Sequence, residues 1–310
     1  TQGETSIIPC LHKETSTTMN RNSSRGVQST TIMVAAAVGV AGLLLLRSNT
    51  KRRKKKKRQV ILITGASSGI GKATALKLLS EGHIVYGAAR RVHEMKDLEQ
   101  AGGHAMEMDV CNQEQIHAGV ARVLKEQNQR LDVLINNAGY TVYGAVEVVS
   151  MEEARRQFEV NLFGLATLTK AVIPTLRRQR SGTIINVSSG AGKVYAPYGA
   201  WYHASKHALE GFSDCCRLDL KAFGINVVIV EPGMILTDLV EAGTQSLVDR
   251  SKGTVYEEPV MNILPHGERV AQHGSDVSVI ANVMSQAVNA QHPKRRYVAG
   301  ATIRELFFIR

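Results

Sequence analysis

The chain is short of cysteine. Cys10, Cys111, Cys215 and Cys216 are the only four in 310 residues, with no C-x-x-C pair and no Cys/His spacing of the zinc type. That argues against a structural zinc site, and the vicinal Cys215 and Cys216 are badly placed to pair with each other. The thiols read as reduced, small apolar side chains of a reducing compartment. Positive charge is also lacking where a nucleic-acid face would need it. The net charge is +11, but Lys51–Arg58 is an unbroken run of eight basic residues. With that run and the few other charges before Gln59 set aside, the body carries about +1. No nucleic acid is expected as a partner. No internal repeat is found, and nothing after Gln59 marks a second domain.

Charge is absent altogether between Arg25 and Arg47. Residues 1–28 are rich in Ser, Thr and Asn and are expected to be disordered. The stretch "IMVAAAVGVAGLLLL" follows, and the 21 uncharged residues around it, at about 1.5 Å each, reach roughly one hydrocarbon core. A single transmembrane helix over 29–47 is the leading expectation; the apolar region of a signal peptide, or a targeting segment, is the alternative. The polybasic linker 48–58 then acts as a stop-transfer flank at an anionic cytoplasmic leaflet. The chain is thus expected to be anchored in the endoplasmic reticulum or mitochondrial outer membrane, with its body facing the cytosol.

From 59 to 310 the pattern becomes regular. "VILIT" (60–64), "HIVYGAA" (83–89), "HAMEMDV" (104–110), "LDVLIN" (131–136), "GTIINVSS" (182–189) and "INVVIVE" (225–231) are near-continuous apolar strands, and helical stretches alternate with them. Such strands belong to a parallel sheet covered on both faces. Right-handed crossovers then give an α/β fold, a doubly wound parallel sheet of Rossmann type in one domain. Ligands of such sheets bind beyond the carboxyl ends of the strands. Here those ends hold "TGASSGIG", "AARR", "MDV", "NNAG", "VSS" and "EPG", where glycine, small polar residues and charge collect.

The turn from Thr64 to Gly71 follows strand one and opens a helix. Gly65, Gly69 and Gly71 let the backbone turn and approach a ligand, and the helix start offers free N–H groups to a pyrophosphate. In that position the turn signals a dinucleotide, although its G-x-x-x-G-x-G spacing differs from the commoner one. At the end of strand two a carboxylate would bind ribose hydroxyls and repel a 2′-phosphate. Ala89 stands there instead, followed by Arg90 and Arg91, whose guanidinium groups suit a phosphate. NADP(H) is therefore the expected cofactor, and no metal is expected.

These residues resemble the short-chain dehydrogenase/reductase family, from about Val60 to Thr237 and more loosely beyond. "TGASSGIG" is similar to the family's cofactor turn, and "NNAG" (Asn136–Gly139) to its structural strand-four motif. Asn161 in "EVNLFG" is similar to its helix asparagine, and "YHASK" to its Y-x-x-x-K motif. Ser189 lies thirteen residues before Tyr202, the family's usual separation. The resemblance implies catalytic roles for Asn161, Ser189, Tyr202 and Lys206. It implies cofactor contacts from Gly65, Ser67, Ser68, Gly69, Ile70, Gly71, Arg90, Arg91, Asp109, Val110, Asn137, Ala138, Gly139, Tyr202, Lys206, Pro232, Gly233 and Thr237. Asp109 and Val110 would meet adenine, and Pro232, Gly233 and Thr237 the nicotinamide side. Lys206 would hold the ribose, and Asn161 a water that links Lys206 to solvent. The anchor and "VYGAARR" resemble a subset acting on steroids, retinoids or acyl-dihydroxyacetone phosphate.

Tyr202 and Lys206, four apart, share a helix face. A free phenol titrates near ~10, and a nearby ammonium and a cationic nicotinamide are expected to lower that value. The phenol then exchanges a proton with a substrate oxygen that Ser189 holds. His203 and His207 are expected to pack or face solvent, and Trp201 to edge the pocket or join the core. The glycine-punctuated stretch from Thr237 to about Gly267 is expected to be a lid; Leu236, Leu239, Val240, Leu247 and Met261 would make it greasy or, equally, are ordinary core contacts of short helices. The expected activity interconverts a carbonyl and an alcohol on a small lipophilic substrate, in a chain that can self-associate as a homodimer or homotetramer. A catalytically silent membrane scaffold, and a surface adaptor acting through the basic run, are the alternatives.

Overall fold

The computed structural model describes residues 58–301. The expected disordered segment, the membrane helix and nearly all of the polybasic linker lie outside the described residues. No helix among the described residues is long and apolar enough to cross a membrane.

Seven strands form one sheet: β1 (Val60–Thr64), β2 (Ile84–Ala89), β3 (His104–Glu107), β4 (Val133–Asn136), β5 (Gly182–Val187), β6 (Ile225–Pro232) and β7 (Arg296–Ala299). Their order is β3-β2-β1-β4-β5-β6-β7, and every pairing is parallel. Both faces are covered, so alternate residues of a strand must both be apolar. In β1, Ile61 and Ile63 point to one layer with Ala75 and Leu78 of α1 (Gly69–Ser80) and Ile280 and Met284 of α9 (Val277–Asn289). Val60 and Leu62 point to the other, with Ile116 and Val120 of α3 (Gln113–Glu126) and Leu168 and Val172 of α5 (Leu165–Gln179). Ile61, Leu62 and Ile63 are fully buried, each worth about 1.5–3 kcal/mol.

Six strands stand where the apolar runs place them. The third is shorter than expected. Met108 N–H still reaches the Ala89 carbonyl at 3.0 Å. The Asp109 N–H instead turns to the side chain of Gln115 at 2.6 Å, which ends the ladder. Between β2 and β3 a 3₁₀ turn, Val92–Met95, runs into the short helix α2 (Lys96–Gln100). The seventh strand, "RYVA", was not expected. It is four residues long and only partly buried at the sheet edge, so no apolar run announces it. The stretch after β6 is helical. It folds as α7 (Asp238–Ser251) and α8 (Glu257–Gln272).

The switch in strand order lies between β1 and β4, whose following crossovers run in opposite directions. The crevice above their carboxyl ends is therefore where a ligand enters such a sheet.

Candidate active site

Gly65 and Gly69 adopt φ values of +66° and +54°, the left-handed region in which a side chain is strained. A Cβ on Gly71 would lie 2.2 Å from the Gly65 carbonyl oxygen and 2.4 Å from Asn137 Nδ2. The turn can fold this tightly only without side chains. Asn137 Nδ2 donates to the carbonyls of Thr64 (3.0 Å) and Gly65 (3.3 Å), and the N–H groups of Asn137 and Ala138 donate to Thr64 Oγ1. Asn137 and Ala138 thus brace the turn from β4, as a structural motif would. Ser68 makes no side-chain cap on α1, and no acidic residue lies in its first turn. The amides there, past Ser67, Ser68 and Ile70, face no competing carboxylate. This cradle fits a dinucleotide pyrophosphate. Thr237 sits beside it: a Cβ on Gly69 would be 3.5 Å from Thr237 Cγ2. Pro232 ends β6, and Gly233 N–H donates to the Ala299 carbonyl at 2.8 Å, so β7 steadies that rim.

The two arginines after β2 differ. Arg91 Nε pairs with Glu94 at 3.1 Å on the surface, whereas Arg90 is exposed and has no partner among the described residues. Of the two expected phosphate ligands, Arg90 has the free guanidinium. Asp109 is half committed. Cys111 N–H donates to Oδ1 at 2.9 Å, and Arg156 donates to Oδ2 at 3.2 Å. Burial opposes its charge, but these two contacts outweigh it and hold the carboxyl below its ordinary range. Burial also pushes the neighbouring Cys111 thiol up to about 11, which leaves it inert near neutral pH. Val110 is buried in the same turn. Cys215 and Cys216 are free thiols as well.

Tyr202 and Lys206 lie on α6 (Ala200–Leu220), facing the end of β5. Ser189, just beyond β5, accepts from Ala191 N–H at 3.1 Å and hydrogen-bonds the Tyr202 phenol. The Lys206 ammonium is buried, donates to the Val187 carbonyl at 3.1 Å, and lies 5.9 Å from the Tyr202 ring centre. The Lys206 share of the expected lowering is corrected here. Burial raises the Tyr202 phenol above its ordinary value, and the Ser189 hydrogen bond lowers it only in part. Burial also pushes Lys206 down to about 8. The ammonium at this distance does not outweigh desolvation, so the protein's own charges do not make Tyr202 a ready phenolate.

Asn161 lies in a single π-helical stretch, Glu159–Gly164, between α4 (Met151–Phe158) and α5. Such bulges often mark functional sites. Its side chain accepts from Tyr140 N–H at 2.8 Å and donates to the Tyr140 carbonyl (2.9 Å) and Ser205 Oγ (3.0 Å). Both amide donors are engaged with the chain itself, tying the loop after β4, with Gly139, to α6. His203 is buried, with Nδ1 2.5 Å from the Val194 carbonyl, and His207 is exposed; they pack and face solvent as expected. Trp201 is not at the pocket mouth. It lines a separate apolar groove with Phe158 and Phe163.

A cavity of about 630 Å³ opens nearby, lined by Gly144, Glu147, Pro197, Tyr198, Ala200 and Tyr256 among others. Tyr143 stands against Tyr202 with ring centres 5.7 Å apart, and Tyr198 meets Tyr256 edge-on at 6.4 Å. The Tyr256 hydroxyl donates to Glu147 at 2.7 Å, and Arg250 of α7 pairs with Glu153 of α4. These two contacts tie α7 and the start of α8 to the loop after β4 and to α4. Tyr143, Tyr198 and Tyr256 were not singled out in the sequence. For Tyr143 and Tyr198 a signal did exist, because five of the eight tyrosines fall from Tyr140 to Tyr202; Tyr256 lies outside that cluster.

Known proteins match this chain. The family model for short chain dehydrogenase covers residues 59–247. The chain is 37% identical over 247 residues to a 3-ketodihydrosphingosine reductase of Bacteroides thetaiotaomicron, covering 79% of this chain and 89% of the relative. It is 32% identical over 248 residues to an NADPH-dependent 3-dehydrocapnine reductase of Ornithobacterium rhinotracheale, covering 76% and 86%. Among solved structures, a metagenomic short-chain oxidoreductase in complex with NADP superposes with a TM-score of 0.61 at 29% identity, covering 78% of this chain and 96% of that one. The glycine cradle, the Ser189–Tyr202–Lys206 arrangement and these similarities have one explanation: the chain belongs to the short-chain dehydrogenase family and is an oxidoreductase.

Proposed function

We propose that the chain interconverts a ketone and a secondary alcohol on a lipophilic substrate, with NADP(H) as its cofactor. The observation that carries this is the hydrogen-bonded Ser189–Tyr202 pair above the buried Lys206. The cavity lined by Tyr198 and Tyr256 opens nearby, and Leu239, Val255 and Met261 are exposed on and beside the helices that follow β6. The free Arg90 after Ala89 supports the phosphorylated dinucleotide, which Arg90 would grip at its 2′-phosphate.

When bound, the nicotinamide carries the hydride that is transferred. The protein's own groups handle the proton. Ser189 holds the substrate oxygen, and Tyr202 donates its proton to that oxygen during reduction or receives it during oxidation. A phenol held neutral by burial suits the reductive direction, because it keeps the proton until the oxygen becomes basic. The relatives named for 3-keto substrates support a long-chain keto amine of sphingoid type as the first compound to test, ahead of ketosteroids, retinal and acyl-dihydroxyacetone phosphate.

The test is NADPH oxidation by the full chain with each of these carbonyls. Tyr202→Phe should retain NADPH binding and lose turnover by about a hundredfold or more. Near-normal turnover in that variant would overturn the assignment. The proposal extends to location. The uncharged stretch before Arg47 and the basic run after it support an anchored enzyme whose body faces the cytosol. Release by carbonate extraction, or protease protection in sealed microsomes or mitochondria, would contradict it.

A further inference from the structure

Tyr202, Lys206, Glu210 and Asp214 recur at four-residue intervals along α6 and form one stripe. Below the proton path, this stripe meets a buried cluster of charge. Glu210 and Glu231 of β6 are 5% and 2% exposed. Lys193, in the loop after Ser189, lies 2.7 Å from Glu210 and 3.8 Å from Glu231. Arg296 of β7 lies 3.0 Å from Glu210, 2.9 Å from Glu231 and 2.7 Å from Asp214, and Asp214 also pairs with Arg217. Four parts of the chain therefore converge on two buried carboxylates. Buried ions of this kind seldom stabilise a fold more than apolar residues of the same size would, which directs attention to what the cluster touches.

It touches the catalytic groups. A Cβ on Gly192 would meet Ser188 Oγ at 2.8 Å, Glu210 Cγ at 3.0 Å and the Lys206 carbonyl oxygen at 3.1 Å. The turn that carries Ser189 is thus seated directly on the Lys206–Glu210 segment. We infer that Glu210, anchored by Lys193 and Arg296, is a positioning residue that fixes this turn and supplies the counter-charge to the Lys206 ammonium. This rests on the assignment of Tyr202 and Lys206 to the proton path.

The sign of the effect follows from the surroundings. Lys206 faces the Val187 carbonyl of β5, the Tyr202 ring and Glu210. Glu210 faces Lys193, Arg296, Glu231 and the Ser188 hydroxyl. Burial drives Lys206 toward its neutral form, and the Glu210 carboxylate acts against that. Without the carboxylate, Lys206 sheds its proton at lower pH.

The experiment is the pH profile of kcat for carbonyl reduction in the full chain. Glu210→Gln should move the basic limb lower by about one pH unit, the size expected for losing one neighbouring opposite charge in a partly screened interior. Glu210→Asp, which keeps the charge, should return the limb most of the way. Should Glu210→Gln fail to fold, the double variant Glu210→Gln/Lys193→Met removes a balanced pair and should shift the limb in the same direction. An unmoved limb with reduced kcat or melting temperature alone would make Glu210 structural and overturn the inference, provided Tyr202→Phe is inactive. An active Tyr202→Phe would instead overturn the underlying assignment, and this inference with it.

Discussion

Replacing Gly71 with alanine puts a methyl group in place of a hydrogen at the tightest point of the cofactor cradle. The new Cβ would stand 2.2 Å from the Gly65 carbonyl oxygen, 2.8 Å from its carbon and 2.4 Å from Asn137 Nδ2. Two of these atoms are backbone, and Asn137 is itself tied to Thr64 and Gly65. Nothing flexible is there to yield, so α1 and the turn must separate by about 1 Å. Overpacking of this kind costs about 3 kcal/mol. For a domain of this size that lowers the melting temperature by about 6–12 °C. The displaced amides are those that would meet the pyrophosphate, so NADPH affinity should fall on the order of tenfold to a hundredfold. Gly69→Ala is the internal comparison. Its Cβ meets only Thr237, no closer than 3.5 Å, and the penalty is that of a left-handed alanine at φ +54°, about 1 kcal/mol. Thermal melts and titration of NADPH fluorescence measure both variants. If Gly71→Ala melted and bound NADPH like the parent chain, or if Gly69→Ala were the more damaged, the close-approach argument would be wrong.

Arg90→Ala should weaken NADPH roughly ten- to a hundredfold while leaving NADH nearly unchanged; equal losses in KM for the two cofactors would remove Arg90 from the 2′-phosphate. Arg91→Ala should matter less, because Arg91 is already paired with Glu94. Tyr256→Phe removes one lid latch, the bond to Glu147, and should change kcat/KM by a few-fold with an unchanged melting temperature; identical kinetics would show that the latch does not gate the cavity. Asp109 has a folded pKa below its unfolded value. The unfolded chain therefore binds more protons between the two, and the contribution of Asp109 is full above its unfolded value near 4 and fades as pH falls through the folded one. Urea unfolding should accordingly separate wild type from Arg156→Ala at pH 7, and the gap should narrow as the pH falls below the unfolded value near 4; a gap that does not narrow in acid would assign the effect of Arg156 to packing.

Much of this enzyme was legible in residue order because its signals are local. Two-residue and 3.6-residue periodicities are properties of neighbouring residues, so Val60–Thr64 reads as a buried strand and Tyr202 and Lys206 as one helix face without knowledge of the rest. The cofactor turn is equally local: Gly65, Gly69 and Gly71 sit between a strand and a helix. Other features depend on what distant segments bring. Strand β7 is held by β6 rather than by any apolar run of its own. Arg90 and Arg91 are adjacent in sequence, and only the fold leaves one free and pairs the other with Glu94. The net direction of the Tyr202 shift within the chain is not a local property, because desolvation sums over all packed atoms, while the Lys206 charge can be read from spacing. The charge cluster around Glu210 joins Lys193, Glu231 and Arg296 from three other segments. Long-range pairing and burial are three-dimensional quantities, and tertiary structure alone decided them.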